Sequence, residues 1–166
     1  EELVVFQRTA NFSTPALNRT LSNSEIDAVK NNYPEYRTEC RKSGLGAISP
    51  EPQLDRAMEA TAEERESRFN TGWETGLLPS FFFAFGDILT DEKANEAAQE
   101  FIRDRIRGIV EDEQTREDLL PNTHPYGTKR PCLDTNYYET FNRENVSLVN
   151  LRRTPIDTIT EKGIKT

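Results

Sequence analysis

Lys129 and Arg130 stand side by side in the run Tyr126-Gly127-Thr128-Lys129-Arg130-Pro131. After a glycine turn, a compact ammonium and a planar, permanently charged guanidinium can be aimed at different anions from one short stretch of backbone. A second candidate is Phe6-Gln7-Arg8-Thr9. There an arginine and a hydroxyl close an apolar, strand-like run, an arrangement able to grip a ribose phosphate at a strand's carboxyl end. The third is Leu78 to Phe83, in which Phe81, Phe82 and Phe83 exceed what one face of a helix can bury and could line an apolar pocket. Each also has an ordinary reading: a surface ion pair for Arg8, solvated cations for Lys129 and Arg130, plain core for the aromatics.

Other chemistries find little support. His124 is the sole histidine, and Cys40 and Cys132 lie far apart without a CxxC or Cys/His pattern, so no metal site is expected. Free thiols are the favoured reading of the two cysteines. A hydrolase would need a GxSxG elbow, which is absent. Gly44-Leu45-Gly46 begins like a dinucleotide fingerprint, yet Ser49 replaces the third glycine and no apolar strand precedes it, leaving a loop marked by Gly44, Gly46, Pro50 and Pro52.

The elements that must position these residues alternate in type along the chain. Leu3-Val4-Val5-Phe6 predicts a buried strand ending at Gln7-Arg8-Thr9. Ile26, Val29, Tyr33, Tyr36 and Cys40 keep helical phase across Pro34, which predicts one kinked helix rather than two. Thr61 with Glu64 fits a capping box, so a second helix runs from about Ala62 towards Trp73 and stops near Gly76. Pro79 suits the first turn of a third. Thr90 is placed to cap a longer helix carrying Ala94, Ala97, Ala98, Phe101, Ile102, Ile106 and Ile109 on one face, with Arg103, Asp104, Arg107 and Glu111 towards water. A short helix with Leu119 and Leu120 ends at Pro121. Val146, Leu148 and Val149 predict a strand, and 156–166 a hairpin around Glu161, Lys162 and Gly163. The fold class is α+β and mainly helical: a helical insert over residues 17–121, flanked by 1–16 and 122–166 as short strands of an α/β, Rossmann-like domain, both ends of the insert returning to the same sheet.

A net charge of −8 argues against a general nucleic-acid or anionic-membrane surface. Apolar runs are short, Leu77 to Phe85 being the longest, so no membrane partner is expected. Only 34% of residues are hydrophobic and 30% are charged, which suits slim amphipathic helices covering a neighbour. With Glu1 first and Met58 the only methionine, the chain reads as a piece of something longer.

Taken together and in order, these features resemble one family, the Baeyer-Villiger monooxygenases. Val5-Phe6-Gln7-Arg8-Thr9 is similar to the segment after that family's NADPH-binding turn, with Ala10 where the family usually has proline. Trp73-Glu74, Phe85-Gly86-Asp87-Ile88, Ala94-Asn95-Glu96 and Phe101-Ile102 resemble its helical insert. Lys129-Arg130-Pro131, Tyr137-Tyr138, Phe141-Asn142-Arg143-Glu144-Asn145-Val146 and Pro155-Ile156 complete the likeness, which covers almost the whole chain. The two GxGxxG motifs and the FxGxxxHxxxW signature are absent, and the resemblance places them before Glu1.

The resemblance implies a cytoplasmic enzyme in which NADPH reduces FAD, molecular oxygen adds to the flavin, and the peroxide anion attacks a ketone to give an ester or lactone. Arg130 would face the flavin and stabilise that anion. Arg8, Thr9 and Lys129 would hold the 2′-phosphate of NADPH, and Leu78, Phe81, Phe82 and Phe83 would lie beside the ketone. The missing FAD and NADPH domain segments would be the chain's partners. A flavoprotein oxygenating nitrogen or sulfur, or a non-catalytic helical interaction module, are the alternatives.

Overall fold

The structure is a computed structural model describing residues 1–43, 46, 53–76 and 78–166. The fingerprint-like Gly44-Leu45-Gly46 and the loop to Pro52 lie outside the described residues apart from Gly46, as does Leu77.

Two strands open the chain, β1 (Leu3–Gln7) and β2 (Ser13–Pro15), and a helical block follows: α1 (Asn23–Asn31), α2 (Tyr33–Lys42), α3 (Ala62–Thr75), α4 (Leu78–Phe82), α5 (Glu92–Ile109) and α6 (Glu113–Leu119). The chain then returns through β3 (Cys132–Asp134), α7 (Tyr137–Thr140) and β4 (Val146–Asn150), and ends in a hairpin of β5 (Thr158–Thr160) and β6 (Gly163–Lys165). β1 pairs parallel with β4, Val5 opposite Leu148, and β2 pairs parallel with β3, Ser13 opposite Cys132. The chain on either side of the helices is thus tied together twice, but into two separate two-stranded sheets among the described residues, not the single sheet expected.

α5 organises the core. Its stripe of Ala94, Ala98, Ile102 and Ile106 is fully buried, as helical spacing predicts. α3 lies across it, and Phe69, Trp73, Phe81, Phe85 and Phe101 pack ring against ring at centroid distances of 5.4–6.4 Å. α3 starts at the expected capping box, the Thr61 hydroxyl accepting from the Glu64 N–H, and ends at Gly76 with φ +68. Asp87, 7% exposed, accepts from the Ala57 N–H at 2.9 Å and so folds the segment before α3 onto the core.

Four local expectations are corrected. The Ile26–Cys40 stripe does not ride one kinked helix: α1 ends and α2 begins at Asn32 (φ −122, ψ 29), with Pro34 in the first turn of α2, where its missing N–H costs no helical bond. The longer helix is capped by Asp91, not Thr90, because the Asp91 carboxylate accepts from both the Lys93 and Ala94 N–H groups at 3.0 Å. β1 is not a buried strand in this chain, since Leu3 and Val4 are 48% and 41% exposed and β4 covers one edge only. Arg103 does not face water: its side chain is 12% exposed and its Nε donates to the Pro121 carbonyl at 3.0 Å.

Candidate functional site

β1 ends in a turn that aims Arg8 outward, and the chain re-enters the core at Ala10 and Phe12. Phe12 is fully buried, edge-on to Tyr126 at 5.4 Å and to His124 at 5.5 Å. The Cys132 N–H donates to the Phe12 carbonyl at 3.0 Å, and β3 follows alongside β2. This pairing brings Arg8 and Thr9 to the same place as Lys129, some 120 residues later. All three line one cavity of about 600 Å³, with Asn11, Asp134 and Tyr138. That volume lies within the range of roughly 300–1,000 Å³ usual for small-molecule sites.

Charge is arranged unevenly around it. Asp134 is the carboxylate on the wall, and it is engaged, accepting from the Ser13 hydroxyl at 2.5 Å and from the Tyr137 N–H at 3.2 Å. Among the described residues neither Arg8, Lys129 nor Arg130 forms an ion pair with a carboxylate, so these charges are free for an anion. A third arginine, which sequence reasoning passed over, stands close by: the Arg152 guanidinium donates to the Thr9 hydroxyl at 3.4 Å. It lies two residues beyond the end of β4, and the parallel pairing of β1 with β4 could have pointed to it.

Arg130 is separated from this group. It is exposed and does not line the cavity, while its backbone carbonyl accepts from Asn11 Nδ2 at 3.0 Å. Of the two adjacent cations, Lys129 lines the cavity and Arg130 does not. Gly127, in the turn before them, has φ +88 and Leu89 Cδ2 2.6 Å from where a Cβ would stand, so a side chain there would be strained. His124 sits between Thr123, whose hydroxyl lies 3.1 Å from Nδ1, and Asn11, whose Oδ1 lies 3.1 Å from Nε2. Burial, and then the nearby positive charge of Lys129, lower its pKa below the usual 6.5, so the ring is neutral at pH 7.

The aromatic segment divides. Phe81 is fully buried against Phe69, Trp73, Phe101 and Tyr126 and belongs to the core. Phe82 and Phe83 are half-buried, Phe82 lying 4.9 Å from the Tyr126 ring. The side chain of Leu78 lies outside the described residues. Among the described residues no cluster of three or more His, Cys, Asp or Glu side chains could hold a metal ion, and no helix is long and apolar enough to cross a membrane.

No family model matches the chain. Individual proteins do. It is 40% identical over 166 residues to cyclohexanone 1,2-monooxygenase of Acinetobacter sp, covering 99% of this chain and 30% of that protein. A Baeyer-Villiger monooxygenase of Pseudooceanicola batsensis is 36% identical over 168 residues, with 99% and 30% covered. The chain resembles the Baeyer-Villiger monooxygenases over its whole length. Phenazine N-monooxygenase of Lysobacter antibioticus is also similar, 41% identical over 165 residues with 99% and 30% covered. In three dimensions, oxidized steroid monooxygenase bound to NADP matches 100% of this chain and 31% of that one, with TM-score 0.87 and 44% identity. The chain therefore spans about 30% of the length of the curated relatives it matches.

Proposed function

We propose that the chain supplies one side of the active site of an FAD- and NADPH-dependent Baeyer-Villiger monooxygenase, which inserts one oxygen atom of O2 into a ketone to give an ester or lactone. The observation that carries this reading is the convergence of Arg8, Thr9 and Lys129 on one cavity, with Arg130 exposed outside its lining. Two cations and a hydroxyl without carboxylate partners fit the doubly charged 2′-phosphate of NADPH. The relative solved with NADP supports the choice of nucleotide.

In this reading the bound FAD, once reduced, supplies activated oxygen. Arg130 holds a preorganised positive charge where negative charge develops, and a guanidinium cannot quench that charge by giving up its proton. Residues 17–121 are the helical insert, and 1–16 with 122–166 belong to a Rossmann-like NADPH-binding domain. Phe82 and Phe83 are the members of the aromatic segment proposed to face the ketone, with Phe81 supporting them from the core. The compartment is the cytoplasm.

The test is made in the full-length protein. Lys129→Ala or Arg8→Ala is expected to weaken NADPH binding about ten- to hundredfold, since a hydrogen bond to a charged group contributes roughly 1.5–3 kcal/mol, while NADH use hardly changes. Arg130→Ala is expected to abolish ester formation while NADPH oxidation continues and hydrogen peroxide is released. Ester made by Arg130→Ala at the parent rate would overturn the role given to Arg130. A second reading, oxygenation at nitrogen, has the phenazine N-monooxygenase in its favour. Products formed from a cyclic ketone and from a heteroaromatic amine decide between them.

A further inference from the structure

The segment 121–131 carries both cations without any helix or strand of its own, so their aim must come from outside it. Its fastenings are side chains. Arg103 on α5 takes the Pro121 carbonyl at one end, and Asn11 takes that of Arg130 at the other. Between them stands Asn95, also on α5 and 7% exposed. Its Nδ2 donates to the carbonyls of Ile88 at 2.8 Å and Tyr126 at 2.9 Å. Its Oδ1 accepts from the Tyr126 N–H at 3.0 Å and from Gln99 Nε2 at 2.9 Å. An amide has two donors and two acceptor sites, and here all four are used.

Holding both the N–H and the carbonyl of Tyr126 fixes the peptide planes on either side of it, and with them the direction in which the chain leaves the core. Only Gly127 and Thr128 then separate Tyr126 from Lys129. The Thr128 N–H and hydroxyl both return to the Pro125 carbonyl, at 3.3 and 2.8 Å, closing the turn. Gln99 in turn accepts from Arg103 at 2.7 Å, so Asn95, Gln99 and Arg103 form a ladder along α5, four residues apart, that reaches both Tyr126 and Pro121.

We infer that Asn95 is a positioning residue for Lys129 and Arg130, setting through the Tyr126 backbone the two directions in which these cations point. Its direct contact with the segment is the Tyr126 backbone. The inference rests on the reading of Lys129 and Arg130 given above.

Asn95→Asp keeps the shape and loses both donors, leaving two buried carbonyls unpaired. In the full-length, flavin-loaded enzyme, ester formed per NADPH consumed should fall on the order of tenfold or more, because small misplacements of a charged group cost that much in rate. Ile106→Ala is the comparison, buried on the same helix about 16 Å away at 1.5 Å per residue. It should lower thermal stability and leave that ratio at the parent value, as any purely structural defect would. Asn95→Ser retains a small polar side chain, and the same ratio read on it decides the matter if the aspartate variant fails to load flavin. A parent-like ratio in the Asn95 variants overturns the inference. Arg130→Ala run in parallel keeps the two failures apart: if it loses ester formation while the Asn95 variants do not, positioning alone fails. If it too makes ester at the parent rate, the underlying reading fails and the inference with it.

Discussion

α1 and α2 on one side, and α3 with α5 on the other, are built from similarly polar sequence and begin in part alike, yet they end in opposite states. α1 and α3 each open with a complete capping box, Ser22 with Glu25 and Thr61 with Glu64. No residue of α1 or α2 is buried, however, whereas α3 and α5 enclose Phe69, Ala98, Ile102 and Ile106. A cap settles where a helix starts and says nothing about what covers it. Val29, Tyr33 and Tyr36, spaced as a buried stripe would be, stay 36–51% exposed because no other element of the described chain lies over them. The segment bearing Lys129 and Arg130 is fastened to the well-buried half.

The largest test of this contrast removes one ring from each half. Phe81→Ala is expected to cost about 3–5 kcal/mol, since a fully buried ring packed on four others leaves a cavity. Tyr33→Ala, at an exposed position, should stay within about 0.5 kcal/mol. Urea unfolding of both variants in the same parent decides it, and comparable losses would show that α1 and α2 share the core after all.

A smaller test uses the matching caps. Thr61→Ala should lower global stability by about 0.5–2 kcal/mol, because α3 unfolds only with the core it covers. Ser22→Ala should leave the unfolding midpoint in place and speed hydrogen exchange only at the first amides of α1. Equal midpoint shifts in the two variants would erase the distinction.

The contrast also explains what could be read from the residues. Signals contained within a single element came through: the Thr61 box, the Gly76 stop, the α5 stripe and the two-residue hairpin turn before Gly163. Two local signals misled, Pro34 and the Thr90 cap, because the helix break falls at Asn32 and the cap at Asp91, one or two residues away. The other failures depend on residues distant in sequence. Arg103 reads as solvated until the Pro121 carbonyl returns beside it, and Asn95 reads as one more polar residue until Tyr126 arrives 31 residues later. β2 and β3 are three residues each and exist by pairing across more than 100 residues. Residue types and spacing alone showed the candidate site as two cationic segments; their grouping, with Arg130 apart, came from the family resemblance, and the shared cavity from tertiary structure. Polar residues at positions 95, 99 and 103, flanking an apolar stripe at helical spacing, were the one available sign of the ladder.

The smallest effect tests how closely Lys129 belongs to the fastened half. His124 is the only histidine, so its ring protons give an isolated NMR titration. Burial and then Lys129 depress its pKa, so the midpoint should fall below 6.5. Because the unfolded chain then binds the proton more readily, the stability contributed by neutral His124 is fully present above pH 6.5. It is lost as the pH falls from there to the folded midpoint, below which the loss levels off. Lys129→Ala removes the lesser of the two causes, so the midpoint should rise while remaining below 6.5, because burial still disfavours the charged ring. A midpoint unmoved by Lys129→Ala would mean that the lysine points away from His124, and its place beside Arg8 and Thr9 would then need another explanation.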